Sequence, residues 1–242
     1  MIELLGVGAR RADGDWLLHR VCARFHHGEI ALVVSWRPEE RLALLDAVAA
    51  RLVPEEGRVW VSRHPVARDT VRRVRALVAE VDLHAPAVGH RSLLWNVLVA
   101  GKPWHRALGG LLRLPGKPER RAALRALDRV GLGDRAIEPA QGLGPVDRAR
   151  LALAGALARR PEVLVVREID AGLDAADADL LRGLVRAVVR SERVALVASA
   201  RTPSFGLDFA DRLVAIADGL LVFDGPPAGF MDDKIAWRFG TA

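Results

Sequence analysis

Cysteine, lysine and long apolar runs are all scarce in this 242-residue chain, and each scarcity closes a class of function. Cys22 is the only cysteine, so the chain can form neither an intramolecular disulfide nor a cysteine-based metal site. No apolar stretch approaches the ~20 residues of a membrane-spanning helix. The opening Met-Ile-Glu-Leu-Leu is acidic, unlike a basic export signal, which gives the expectation of a cytoplasmic location. Lysine occurs only at Lys102, Lys117 and Lys234. A phosphate-cradling loop of the form Gly-x-x-x-x-Gly-Lys-Ser/Thr needs one of them followed by a hydroxyl residue. Two precede proline and the third precedes isoleucine, so the chain has no orthodox loop of this kind.

The other 33 basic residues are arginines, and the formal net charge is +6. With so much Ala, Val, Leu and Gly, that ratio reads as the codon bias of a GC-rich genome. Arginine is spread over the whole chain and few aromatics accompany it, so the segment Arg63–Arg75 reads as a solvated face and nucleic acid is not an expected partner. His26-His27 has no carboxylate or cysteine company and reads as a polar strand end. Hydrophobic residues at 51% and charged residues at 27% describe a folded globular chain with ample core.

Apolar and partly alternating runs predict strands at Ile2–Val7, Trp16–Phe25, Glu29–Ser35, Arg58–Arg63, Arg75–Asp82, Pro161–Val166, Val194–Ser199, Arg212–Ala217 and Leu220–Asp224. Helical spacing predicts helices over Arg37–Leu52, Ser92–Ala100, Glu119–Val130, Pro145–Ala158 and Ala175–Arg190, the last with Leu180, Leu181, Leu184, Val185 and Val188 inward. A Gly/Pro/Trp segment, Gly101–Pro118, carries a further apolar run at Ala107–Leu114. Helices alternating with apolar strands predict an α/β core with a parallel sheet. The texture from Gly89 to about Gly142 predicts a helical subdomain inserted into it. Trp36, Trp60, Trp95 and Trp104 read mostly as core.

The second half carries a resemblance. The run from Gln141-Gly-Leu-Gly-Pro-Val-Asp147 through Val163-Leu-Val-Val-Arg-Glu-Ile-Asp170 to Asp174 resembles the signature helix, Walker B strand and D-loop of an ATP-binding cassette (ABC) ATPase. Phe209–Pro227 resembles that family's closing strands, and the match runs back through His27-Gly28-Glu29 and Pro54-Glu-Glu-Gly57. Asn96-Val97-Leu98, Phe223-Asp-Gly-Pro-Pro227 and the terminal Arg238-Phe239-Gly240 look most like the phosphonate-importer branch. The resemblance covers essentially the whole chain. It implies a P-loop NTPase-like ABC ATPase fold, with a mixed sheet core, an antiparallel β subdomain and an inserted helical subdomain. The implied layout is one domain over 1–242, its RecA-like core and β subdomain in 1–88 and 143–242, and its helical subdomain in 89–142.

The frame is kept, and the residues that do the family's chemistry are replaced. The phosphate loop falls on Ser35-Trp36-Arg37-Pro38-Glu39-Glu40-Arg41-Leu42-Ala43, which has no glycine. Arg41 takes the place of the lysine, and Leu42 and Ala43 the places of the magnesium-binding hydroxyls. The Q-loop falls near Ala79-Glu80. The signature reads Leu143-Gly144-Pro145-Val146-Asp147. Arg167 stands at the Walker B aspartate and Arg201 at the switch histidine. The adenine-stacking aromatic is absent from Arg10-Arg11. Only Glu168, at the catalytic-base position, and Asp174, in the D-loop, are retained, and both read as remnants.

These replacements carry physical consequences. Pro38 suits the first position of a helix, and Glu39 and Glu40 then neutralise its positive end themselves. Pro145 and Asp147 repeat that pattern at the signature helix. Arginine cannot hold Mg²⁺, which needs oxygen ligands. The expectation is therefore that no ATP or magnesium is used, although the family uses both. A second expectation is that Arg167 pairs with Glu39 or Glu40. The leading reading is a pseudo-ATPase subunit, peripheral on the inner face of the membrane. It docks on a permease or related assembly through its helical subdomain, with Ala79, Glu80, Trp95 and Trp104 as candidate contacts and a second ABC ATPase-like chain as a possible homo- or heterodimer partner. A transport ATPase with an atypical site, in which Arg37, Arg41 and Glu168 act, is an alternative. A soluble scaffold or regulator outside transport is another.

Overall fold

The structure, a computed structural model, describes residues 1–83, 85–100, 116–171, 174–201, 203–206 and 208–232. Trp104, the apolar run 107–114 and the terminal 238–240 motif lie outside the described residues. The chain divides into two compact units: Met1–Glu80 with Pro161–Asp174 and Val185–Ala242, and Val81–Arg160 with Ala175–Leu184.

A four-stranded antiparallel sheet opens the first unit. Its order is β2 (Trp16–Phe25), β1 (Ile2–Arg10), β4 (Glu56–Val61), β5 (His64–Pro65). β1 buries Ile2 and Leu4, then Val7 and Ala9, so its alternation slips by one. The slip is a bulge: the register with both neighbours shifts after Leu4 or Leu5, and Gly6 takes a φ of +60°. Leu5, before the slip, faces outward by the ordinary alternation from Ile2 and Leu4.

The second sheet has six strands in the order β10 (Leu220–Gly225), β9 (Arg212–Ala217), β3 (Ile30–Val34), β8 (Ala195–Ser199), β7 (Val163–Val166), β6 (Val78–Val81). β9, β3, β8 and β7 run parallel, and β10 closes the edge antiparallel to β9. Every residue of β3, β7 and β8 is buried, as their continuous Val/Ala/Leu runs require of strands covered on both faces.

The described residues also hold a 3-10 turn at Pro203–Gly206 and seven α-helices: α1 (Pro38–Val48), α2 (Val71–Leu77), α3 (Leu93–Val99), α4 (Lys117–Arg129), α5 (Pro145–Leu157), α6 (Ala175–Glu192) and α7 (Pro227–Asp232). None is long and apolar enough to cross a membrane. α1 ends four residues earlier than its apolar spacing predicts. Ala50 enters the left-handed region, and the N–H groups of Arg51 and Leu52 fold back onto the Asp46 carbonyl. The strand predicted over Arg75–Asp82 is shorter than expected. Residues 75–77 finish α2, which the Thr70 carbonyl starts by accepting from the Arg73 and Val74 N–H groups, and only Val78–Val81 pair. On α6 the inward stripe is Leu181, Val185, Val188 and Val189; Leu180 is 58% exposed, one residue out of phase with it.

Within the second unit α3, α4 and α5 pack together, and Gly155 of α5 makes this possible. A Cβ there would stand 2.6 Å from the Cβ of Ala100, the residue that caps α3. Gly155→Ala is expected to lower stability despite alanine's better helix propensity, by about 1–2 kcal/mol. Adding Ala100→Gly is expected to recover most of it. Thermal denaturation of the single and double variants checks this: equal melting points would show that the two helices can shift apart without cost.

Candidate functional site

β3 delivers the chain into the first unit's central loop. Ser35 follows it, almost fully buried, and Trp36 follows Ser35 at 43% exposure, so Trp36 is not core. Arg37 is the N-cap of α1 in an extended conformation and Pro38 is the first helical residue. With no capping side chain on Arg37, the turn is held by Ser35 instead. The Ser35 hydroxyl accepts the Arg37 N–H at 3.0 Å and donates to Glu40 Oε2 at 2.6 Å.

Glu39 and Glu40 part company here. They lie one helical step of ~100° apart, and only Glu40 falls on the inward face. Glu39 points out and pairs with Arg11 at 2.9 Å, both side chains about two-fifths exposed. Glu40 points in and is 0% exposed. Its Oε1 accepts the N–H of Gly219, in the turn between β9 and β10, at 3.0 Å, and lies 3.8 Å from Arg37 Nη1. Arg37 also reaches Asp218 in that same turn at 2.9 Å.

Arg41 is 3% exposed. Its Nη1 donates to the Ser35 carbonyl at 3.0 Å and its Nη2 to Glu168 Oε1 at 3.0 Å. Its Nε is enclosed by protein without a partner. Glu168 sits two residues past the end of β7 with a φ of +46°, its N–H donated to the Ser199 hydroxyl at the end of β8 at 2.9 Å. Leu42 is half-buried and Ala43 is buried beneath the loop.

Arg167 does not pair with Glu39 or Glu40. It bonds Asp46 at 2.6 Å and Glu80 at 3.3 Å, and Glu80 also takes Arg51 at 2.5 Å. Burial alone would lower the pKa of the Arg167 guanidinium, but its hydrogen bonds and proximity to Asp46 and Glu80 raise it above the ordinary arginine value. Helix geometry explains the choice of partner. Asp46 lies seven residues beyond Glu39, on nearly the same face and roughly 10 Å further along the axis. Arg167, leaving the end of β7, meets the last turn of α1 and not its start. Nothing local in the sequence marks Asp46, Ser199, Asp218 or Gly219, since each is tens of residues or more from its partner.

The remaining predicted residues are dispersed. Ala79 is buried within β6. The Arg201 N–H is bound by both oxygens of Asp170, at 3.1 and 3.0 Å. Asp174 is exposed. In the second unit, Gly144 is the N-cap of α5, Pro145 its first residue, and Val146 buried. Asp147 holds Arg135 at 2.7 Å on one oxygen and Arg150 at 3.0 Å on the other, so its charge is spent on side chains before the helix end. Trp95 is half-buried; its backbone N–H is capped by Ser92 and its ring lies 5.4 Å from the Arg91 guanidinium. No group of three or more His, Cys, Asp or Glu is arranged to hold a metal ion among the described residues.

No family model matches the chain. Curated proteins do. Over 241 residues it is 30% identical to the Phosphonates import ATP-binding protein PhnC 2 of Rhodopseudomonas palustris, covering 99% of this chain and 84% of that protein. Over 246 residues it is 26% identical to the Phosphonates import ATP-binding protein PhnC 1 of Trichodesmium erythraeum, covering 100% and 96%. Among solved structures, cbiO1 of Clostridium perfringens, part of the ABC transporter complex cbiONQ, matches with a TM-score of 0.81 at 20% identity, covering 98% of this chain and 92% of that one. At that identity the likeness is one of fold.

Proposed function

The chain belongs to the ATP-binding subunits of ABC transporters, on their phosphonate-import branch, and from that premise we propose that it has given up ATP turnover and serves a membrane permease or related assembly as a structural or regulatory subunit. The observation that carries the proposal is the pair Arg41–Glu168 at 3.0 Å. The residue in the lysine position is ion-paired with the residue in the catalytic-base position, which holds the Arg41 cation, itself buried, away from a triphosphate.

The family's magnesium-bound triphosphate does not fit the residues present. A hard cation needs oxygen donors, and the position that supplies one in the family is the guanidinium of Arg167, bound to Asp46 and Glu80. A triphosphate at the start of α1 would meet the carboxylates of Glu39 and Glu40 in place of converging N–H groups. Phosphoryl transfer depends on those electrostatic terms, each commonly worth roughly 3–4 kcal/mol in an active site.

In this reading the segment 89–142 docks on the permease, with Trp95 at the contact, and the protein sits peripherally on the inner face of the membrane. The degenerate loop and signature leave no working site in a homodimer or with a competent ATPase partner. Purified protein is expected to show no thermal shift and no calorimetric heat with millimolar Mg-ATP, and to retain a membrane permease on purification in mild detergent. Saturable Mg-ATP binding would favour the alternative of a transport ATPase with an atypical site.

A further inference from the structure

We propose that Glu40 is a built-in anionic ligand, which fills a cup formed by the Ser35 hydroxyl, the Gly219 N–H and the Arg37 guanidinium, and that removing its side chain uncovers a site for a small tetrahedral oxyanion. The proposal rests on the reading that this loop no longer takes nucleotide, and it names what has taken the place of the phosphate.

A carboxylate with no exposure is costly unless its oxygens are satisfied. Both are. Oε2 takes the hydroxyl proton of Ser35 at 2.6 Å, the short distance of a charge-assisted O–H···O⁻ bond. That proton is aimed, because the same hydroxyl oxygen already accepts the Arg37 N–H. Oε1 takes the Gly219 N–H at 3.0 Å. The turn that presents this N–H has positive φ at both Asp218 and Gly219, and it is held to the loop a second time by Arg37–Asp218. The countercharge is Arg37, 3.8 Å away, and the start of α1 adds the favourable end of a helix dipole. A hydroxyl and a backbone N–H bonded to the two oxygens of one buried carboxylate, with a guanidinium 3.8 Å from it, are the kinds of group that bind phosphate or sulfate. Glu39, exposed and paired with Arg11, contributes nothing to the cup.

The test compares wild type, Glu40→Gly and Glu40→Gln as full-length chains, melted in chloride and in inorganic phosphate or sulfate at matched ionic strength. Glu40→Gly is expected to melt lower than wild type in chloride. It should regain roughly 3–6 °C at a tenfold excess of oxyanion over its dissociation constant. Glu40→Gln, which still fills the cup, and wild type should show no such gain. Adding Arg37→Met to Glu40→Gly should abolish it. An oxyanion response of Glu40→Gly no larger than that of Glu40→Gln overturns the proposal, as does failure of Glu40→Gly to refold in phosphate as well as in chloride. The two readings fail separately. Stabilisation of wild type by Mg-ATP would sink the loss of nucleotide chemistry whatever Glu40→Gly does; an unresponsive Glu40→Gly beside an Mg-ATP-blind wild type would sink only the built-in ligand.

Discussion

Gly57→Ala is expected to lower the stability of the protein by about 3–5 kcal/mol, near the top of the range for single substitutions. Two independent causes act at this position. Gly57 has a φ of +74°, a conformation in which a side chain is strained by about 1–3 kcal/mol. A Cβ there would also fall inside the contact radii of the Leu5 and Gly6 carbonyl oxygens. Those atoms are backbone in the bulge of β1, so they cannot swing aside as a flexible side chain could. The bulge sets which face of β1 carries Val7 and Ala9 into the core, and relieving the clash would disturb that register. In a chain of this length the loss should appear as a fall of roughly 6–20 °C in melting temperature. A fall below about 2 °C would show that β1 and β4 can part locally without cost.

Arg167→Asp is expected to destabilise the protein by about 2–4 kcal/mol at neutral pH and low salt. The effect falls short of that of a fully buried pair because all three side chains keep about a third of their surface exposed. The substitution removes the cation from Asp46 and Glu80 and puts a third carboxylate beside them. Arg167→Met, which only removes the cation, should cost about half as much, and the difference between the two variants measures like-charge repulsion. Repulsion requires ionised carboxylates, so the variant's deficit relative to wild type should be largest at neutral pH and should narrow in acid. The gap should narrow in molar salt as well, since these charges are partly solvated. Denaturant midpoints at two pH values and two salt concentrations test this. A salt-independent and pH-independent gap would mean that Arg167 acts through packing of its alkyl stem.

The element pattern is readable because it rests on local periodicity. The buried runs of β3, β7 and β8 and the helices α1, α3, α4, α5 and α6 stand where apolar spacing places them, to within a few residues. The elements that spacing does not reveal are short ones held by tertiary contacts. β5 has two residues and exists only as a partner of β4. α2 has seven, begins beside a threonine bound to neighbouring backbone and runs into β6. Leu180 faces solvent, against its apolar character, because a single step of 100° on α6 separates the inward stripe from the outer face.

What the amino-acid order determined alone is the frame and the chemical character of its central loop: no glycine, no lysine, and two acids after a helix-starting proline. Those are identities, and identities are local. Which charge neutralises which was decided by the tertiary structure. The phase of α1 sends Glu40 inward to Ser35 and Gly219 and leaves Glu39 to Arg11. The height at which β7 meets α1 gives Arg167 to Asp46 and Glu80, and Arg41 to Glu168. These partners lie between 28 and 179 positions apart, apart from Ser35. An ion pair forms only over a few ångströms, and over such separations only the packed sheet and helix fix which groups come that close.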